Sequence, residues 1–262
     1  MTIPIYLPFS IVAGCIGTIA VVIVGLNHAL KRADWLVRER IRAVRTVAVI
    51  LAAWFAVAVA LAAAGVYHVA WDRLPTIEFG IVIPILIGAL AIWRSSAVSR
   101  LIDAMPRHWI IALQVYRVEG LIFLILFASN LLPGVFALPA GVGDVTVGLL
   151  ALRIGIRSAG HQPLLSRTVL LWNLFGIADL VVALTTGFLT SPSPVQTFAF
   201  NHPNQLISMY PLVLIPTFLV PLAILLHIIS LVQLGRTNAA STLASNFGAT
   251  TSADRAVSPT LT

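Results

Sequence analysis

Charge is what this chain lacks most. Asp, Glu, Lys and Arg make up 10% of its 262 residues. Soluble domains carry about a quarter charged residues, so an ordinary water-facing surface is excluded. The single cysteine, Cys15, excludes an intrachain disulfide and a cysteine-rich metal site. Lys31 is the one lysine and lies in the connection "HALKRADW", which excludes a retinal Schiff base inside a bundle. GxSxG, HExxH and Walker-type loops are missing, so nothing in the sequence signals an enzyme.

Apolar residues fill the space that charge leaves, at 59% of the chain. Seven stretches reach the roughly 20 residues that a spanning helix needs: 5–27, 47–67, 77–93, 109–128, 133–152, 168–189 and 209–232. The third is the shortest and carries Pro84. The fourth and fifth are joined only by "SNLLP", which predicts a tight antiparallel hairpin. The fold class read from this pattern is all-α: a polytopic integral membrane bundle of seven transmembrane helices.

Basic residues supply the orientation. Lys31, Arg32, Arg38, Arg40, Arg42 and Arg45 lie between spans one and two. Arg94, Arg100 and Arg107 lie between three and four; Arg153, Arg157 and Arg167 between five and six; Arg236 and Arg255 follow span seven. The opposite connections hold only Arg73, and Arg117 is inside a span. Cytoplasmic loops keep Lys and Arg, so the N-terminus is expected outside and the C-terminus in the cytoplasm, in the cell (inner) membrane. The net charge of +7 is thereby assigned to loops, and nucleic acid is not expected as a partner.

Residues 28–46 put Leu30, Val37, Ile41 and Val44 on one helical face with Arg around the rest. That pattern predicts a helix lying on anionic inner-leaflet lipids, with Trp35 as its interface anchor. The connection "TSPSPVQTFAFNHPNQ" has no Asp, Glu, Lys or Arg; it is expected to cap the bundle or enter the interface through Phe198 and Phe200. Residues 1–236 form the transmembrane domain in this reading, and 237–262 a disordered cytoplasmic tail. "VAGC" at 12–15 resembles a lipoprotein cleavage site, but no basic residue precedes it and the apolar run continues past Cys15.

Four ionisable residues fall well inside spans: Arg117 and Glu119 in the fourth, Asp144 in the fifth, Asp179 in the sixth. Each costs about 2.5–3.5 kcal/mol at a helix centre if it faces lipid unpaired. At about 1.5 Å per residue all four lie roughly 13–18 Å from the cytoplasmic ends, near mid-membrane. The hairpin makes Arg117 and Asp144 natural partners. Pro133, Ala137, Ala140, Gly141, Gly148 and Ala151 share a stripe with Asp144, and such small residues let a second helix approach closely. On span four, Gln114 and Gly120 flank Arg117 while Tyr116 and Glu119 point the other way, which predicts a central position for that span.

"GVGDVTVGL" (141–149) aligns with "GIADLVVAL" (176–184), so Gly176 and Asp179 repeat part of the Asp144 pattern. The two spans run in opposite directions, an arrangement that marks binding sites in some transporters; generic helix packing gives the same pattern. Pro139, Gly141 and Gly143 are candidates for a loosened or kinked helix beside Asp144, and Pro211, Pro216 and Pro221 for a bend in span seven. His28, His108, His161 and His227 are read as lying toward the cytoplasmic face. His108 and His161 sit in loops beside Pro, Arg or Gln, where His is ordinary, and His68 and His202 lie near Asp72 and Glu78; no metal and no cofactor is expected.

Two functions fit this constellation. In one, Arg117, Asp144, Glu119 and Asp179, with Gln114 and Tyr116, form a pathway for a proton, ion or small polar solute. In the other, they are a salt-bridge network fixing helix register in a structural, assembly or sensory protein.

Overall fold

The computed structural model describes residues 4–72, 74–159 and 166–256, with side chains to residue 239. Arg73, His161 and residues 257–262 lie outside the described residues. Every regular element among those described is helical. Two long helices, Tyr6–Arg32 (α1) and Val37–Ala63 (α2), come first, followed by Ile77–Arg94 (α3) and the short Ser96–Ala104 (α4). The fourth span is composite: Arg107–Leu113 (α5), a 3₁₀ segment Gln114–Gly120, and Leu121–Ala128 (α6). Gly134–Ala159 (α7) and Ser166–Thr190 (α8) come next. The last span opens with a π-helical turn, Ile215–Leu219, and continues as Val220–Ala256 (α9). Seven of these segments are long and apolar enough to cross a membrane, the last over Ile215–Ala239.

The basic connections converge on one end of the bundle. Arg107 donates to Thr237 Oγ1 at 2.5 Å, Arg236 pairs with Asp103 and donates to Ser99 Oγ at 3.0 Å, and Arg100 stacks on Trp35 with 5.8 Å to the ring centroid. Between these contacts Gln233 Nε2 donates to the carbonyls of Ile102 and Met105, both at 2.7 Å. The short α4 that makes this end was not anticipated from the hydropathy. Its signals are Ser95, whose hydroxyl caps the Val98 N–H, and apolar residues at 98, 101, 102 and 105.

Two expectations are corrected. No separate surface helix spans 28–46: α1 runs through Leu30 to Arg32, a turn occupies 33–36, and Val37, Ile41 and Val44 belong to α2. The turn is made at Asp34, whose φ of 53° stops the helix, so the amphipathic pattern was the ends of two spanning helices. Helix α9 is drawn on to Ala256, through a stretch rich in Ala that meets no proline before Pro259. In span five Pro139, Gly141 and Gly143 lie inside one helix, Gly134–Ala159. The non-α backbone lies instead in spans four and seven.

Burial also moves the centre of the bundle. Over an apolar stretch of 18 residues in each span, 67% of the residues are buried in Ile215–Ala239, against 44% in Arg107–Ala128 and 11–28% in the first three. The last span, not the fourth, is therefore the most enclosed. It packs on α3, α5 and α8, while α7 packs on α5, α6, α8 and the 3₁₀ segment. Pro216 and Pro221 account for the bent start: neither offers an N–H, and Leu212 O takes Ile215 N at 3.0 Å instead.

Candidate functional site: a buried arginine held by three helices

The winding of the 3₁₀ segment decides which of its side chains share a face. With three residues per turn, side chains at i and i+3 eclipse one another. Gln114, Arg117 and Gly120 are the buried residues of the segment and form one such row. Tyr116 and Glu119 form a second. Val115 and Val118, β-branched and weak in α-helices, together with Gly120 give this sequence little α preference.

Arg117 reaches three other helices from that row. Its Nε donates to Asp144 Oδ1 on α7 at 2.7 Å, and its Nη2 pairs with Asp179 Oδ2 on α8. Nη1 lies 3.2 Å from both the Gly176 carbonyl and Nε2 of His227 on α9. A guanidinium offers only donors, so His227 Nε2 accepts and its ring proton sits on Nδ1. Nδ1 then donates to Asn173 Oδ1 at 2.9 Å, and Asn173 Nδ2 donates to Ser230 Oγ at 3.0 Å and to Val169 O at 2.8 Å. Asn173, His227 and Ser230 are each fully buried, so this string runs into the packed half of the bundle and ends there.

Small residues make the convergence possible. A methyl placed on Gly143 would collide with the Asp179 carboxylate, one on Gly120 with Asp144, and one on Gly176 with the His227 ring. On Gly148 it would stand 2.9 Å from the Val118 backbone nitrogen, and on Gly141 3.1 Å from the Gly120 carbonyl. The Asp144 stripe is thus a seam where α7 meets the backbone of the 3₁₀ segment. Pro139 lies within the same unbroken helix.

The remaining residues singled out from sequence are placed around this centre. Gln114 Nε2 donates to Ala223 O at 2.9 Å, while its buried Oε1 has no partner among the described residues. Tyr116 OH donates to Leu219 O at 2.9 Å. Both tie span four to the last span. Glu119 stays apart from Arg117: its half-buried carboxylate lies against Gly14 of α1 and makes no hydrogen bond or ion pair among the described residues.

Two cavities touch the cluster. A space of about 20 Å³, room for about one water, is bounded by Tyr116, Arg117, Glu119 and Asp144. A larger one of about 140 Å³ runs from Asp144 toward Glu78 and Ser191, the end of the bundle away from the basic loops. Its walls are mainly Phe, Ile, Leu and Val. Asp144 lines both, and its Oδ2 makes no hydrogen bond among the described residues.

Asn173, His227 and Ser230 were missed in the sequence. His227, expected toward the cytoplasmic side, lies level with Arg117, whose Nη1 is 3.2 Å from its Nε2. Among the described residues no group of three or more His, Cys, Asp or Glu side chains is placed to hold a metal ion.

No curated protein and no solved structure matches the chain. A family model described as a domain of unknown function, DUF8737, matches residues 74–235, which include Arg117, Asp144, Asn173, Asp179, His227 and Ser230. That match covers more than half of the sequence, and the chain belongs to the DUF8737 family.

Proposed function

We propose that this protein moves a proton, ion or small solute across the cell (inner) membrane, with Asp144 as the group that the solute meets. The N-terminus lies outside and the basic end in the cytoplasm, an orientation supported by the positive-inside rule, and the basic residues of 28–46 attract anionic inner-leaflet lipids. One observation carries the reading: Asp144 is ion-paired to Arg117 and also lines a cavity of about 140 Å³. One guanidinium faces two carboxylates, so the site holds a surplus negative charge that a proton or cation neutralises. A solute that displaces Arg117 from Asp144 changes that balance, which is the coupling step a transporter needs.

The test is proton flux into vesicles reconstituted with purified protein, driven by a potassium diffusion potential and read by an enclosed pH dye. Asp144→Asn is expected to abolish flux in protein that still inserts and elutes as the wild type does. Equal flux with and without the Asp144 carboxylate sinks the reading.

A static role has its own support, namely the glycine contacts and the four hydrogen-bond partners of Arg117. It predicts that replacing the charges together is harmless. Because Arg117 holds two aspartates, the neutral replacement has to be triple: Arg117→Met with Asp144→Asn and Asp179→Asn. Unchanged stability and unchanged flux in that variant would establish the static role.

A further inference from the structure

The larger cavity has two carboxylates and little else that is polar. Asp144 closes one end, 7% exposed, with Oδ2 free of hydrogen bonds among the described residues. Glu78, at the start of α3, bounds the other end, and its Oε2 is buried with no hydrogen-bond partner among them. Phe123, Phe136 and Phe188 are among its walls. Ser191 is the remaining polar side chain of the lining, and its hydroxyl is committed to Gly187 O at 2.7 Å.

These groups select by charge and by shape. Arg117 is shared between Asp144 and Asp179, and Glu78 pairs with no cation among the described residues, so an anion entering here meets uncompensated negative charge. A neutral polar molecule finds acceptors but almost no donors. An ammonium group satisfies a bare carboxylate oxygen, and the aromatic faces favour a cation near them. The volume sets the size of the apolar part, since an apolar cavity of about 150 Å³ admits benzene.

We propose that the cavity binds a small organic ammonium ion with a benzene-sized apolar body, its charged nitrogen on Asp144 Oδ2. This rests on the transport reading only for its consequence, movement of the bound amine; the binding stands or falls by itself.

Equilibrium binding to the purified full-length protein in detergent tests it, with three matched probes: benzylamine, benzyl alcohol and benzoate. Benzylamine is expected to bind at least tenfold more tightly than benzyl alcohol, with no measurable binding of benzoate. Asp144→Asn is expected to weaken benzylamine at least tenfold and leave benzyl alcohol unchanged. Should that variant not fold, Ala183→Leu decides the matter, because it fills the cavity wall and leaves every charge in place. It too is expected to remove benzylamine binding. Equal binding of the amine and the alcohol would identify the cavity as a slot for neutral apolar molecules, such as a lipid chain, and would overturn the proposal. Benzylamine bound equally by wild type and Ala183→Leu would overturn it as well. Flux that depends on Asp144 without amine binding defeats this inference alone, whereas amine binding without flux defeats the transport reading alone.

Discussion

The family match begins at residue 74, leaving α1 and α2 outside it, and the two regions so divided are built differently. The spans of α1 and α2 are 28% and 17% buried, and their exposed faces are Val, Ile, Leu and Phe. They join the rest through one apolar seam, in which Leu7, Ile11, Cys15, Ala58 and Ala62 enter the main core, and through Trp54 and Phe55 against Phe218, with centroids 4.7 and 5.3 Å apart, and Gly25 against Trp109. From the fourth span onward, helices meet through buried hydrogen bonds and through backbone-close seams of glycine and alanine. The third helix is the instructive case, because it lies inside the match and yet is only 11% buried. What it contributes is a wall of the cavity and Glu78. Enclosure of the site, rather than burial of each helix, is what distinguishes residues 74–235.

Substitutions graded by size probe that division. Arg117→Ala leaves Asp144 and Asp179 facing each other unpaired, and is expected to cost about 3–5 kcal/mol in detergent-denaturant titration or to prevent recovery of folded protein. Gly148→Ala drives a methyl toward the Val118 backbone, which cannot swing aside; a loss of about 1–3 kcal/mol is expected in the same titration. Tyr116→Phe removes one interhelical hydrogen bond, worth about 0.6 kcal/mol, and lowers the unfolding midpoint slightly. Gly17→Ala on α1 meets nothing within 4 Å and is expected to change stability by no more than about 0.5 kcal/mol. A Gly17→Ala loss as large as that of Gly148→Ala would erase the distinction between the two regions.

Hydropathy located the seven spanning segments because each is long and nearly free of charge, and the "SNLLP" connection put Arg117 beside Asp144 by proximity alone. The shared use of Arg117 by Asp179 was within reach, since both aspartates fell at the arginine's depth. His227 was not, because its placement on a sequence of one long apolar run depends on the register of that helix against its neighbours, which hydropathy does not carry. Asn173 carried no comparable signal: its amide is neutral, so it stands outside the charged residues that must find partners inside a span. The 3₁₀ geometry was equally hidden. A wheel drawn at about 100° per residue fans Gln114, Arg117 and Gly120 out in steps of about 60°, whereas at about 120° the three fall in register.

That difference in winding has a mechanical side. Rewinding Gln114–Gly120 from about 2.0 to about 1.5 Å of rise per residue shortens the fourth span by about 3.5 Å. The same change turns α6 against α5 by about 140°, at about 20° per residue. Arg117 sits at the middle of the seven residues, so half of that rotation acts on its own side chain. A change of pitch confined to these seven residues would thus turn the guanidinium by about 70° relative to α5, enough to take it off the line of Asp144 and Asp179.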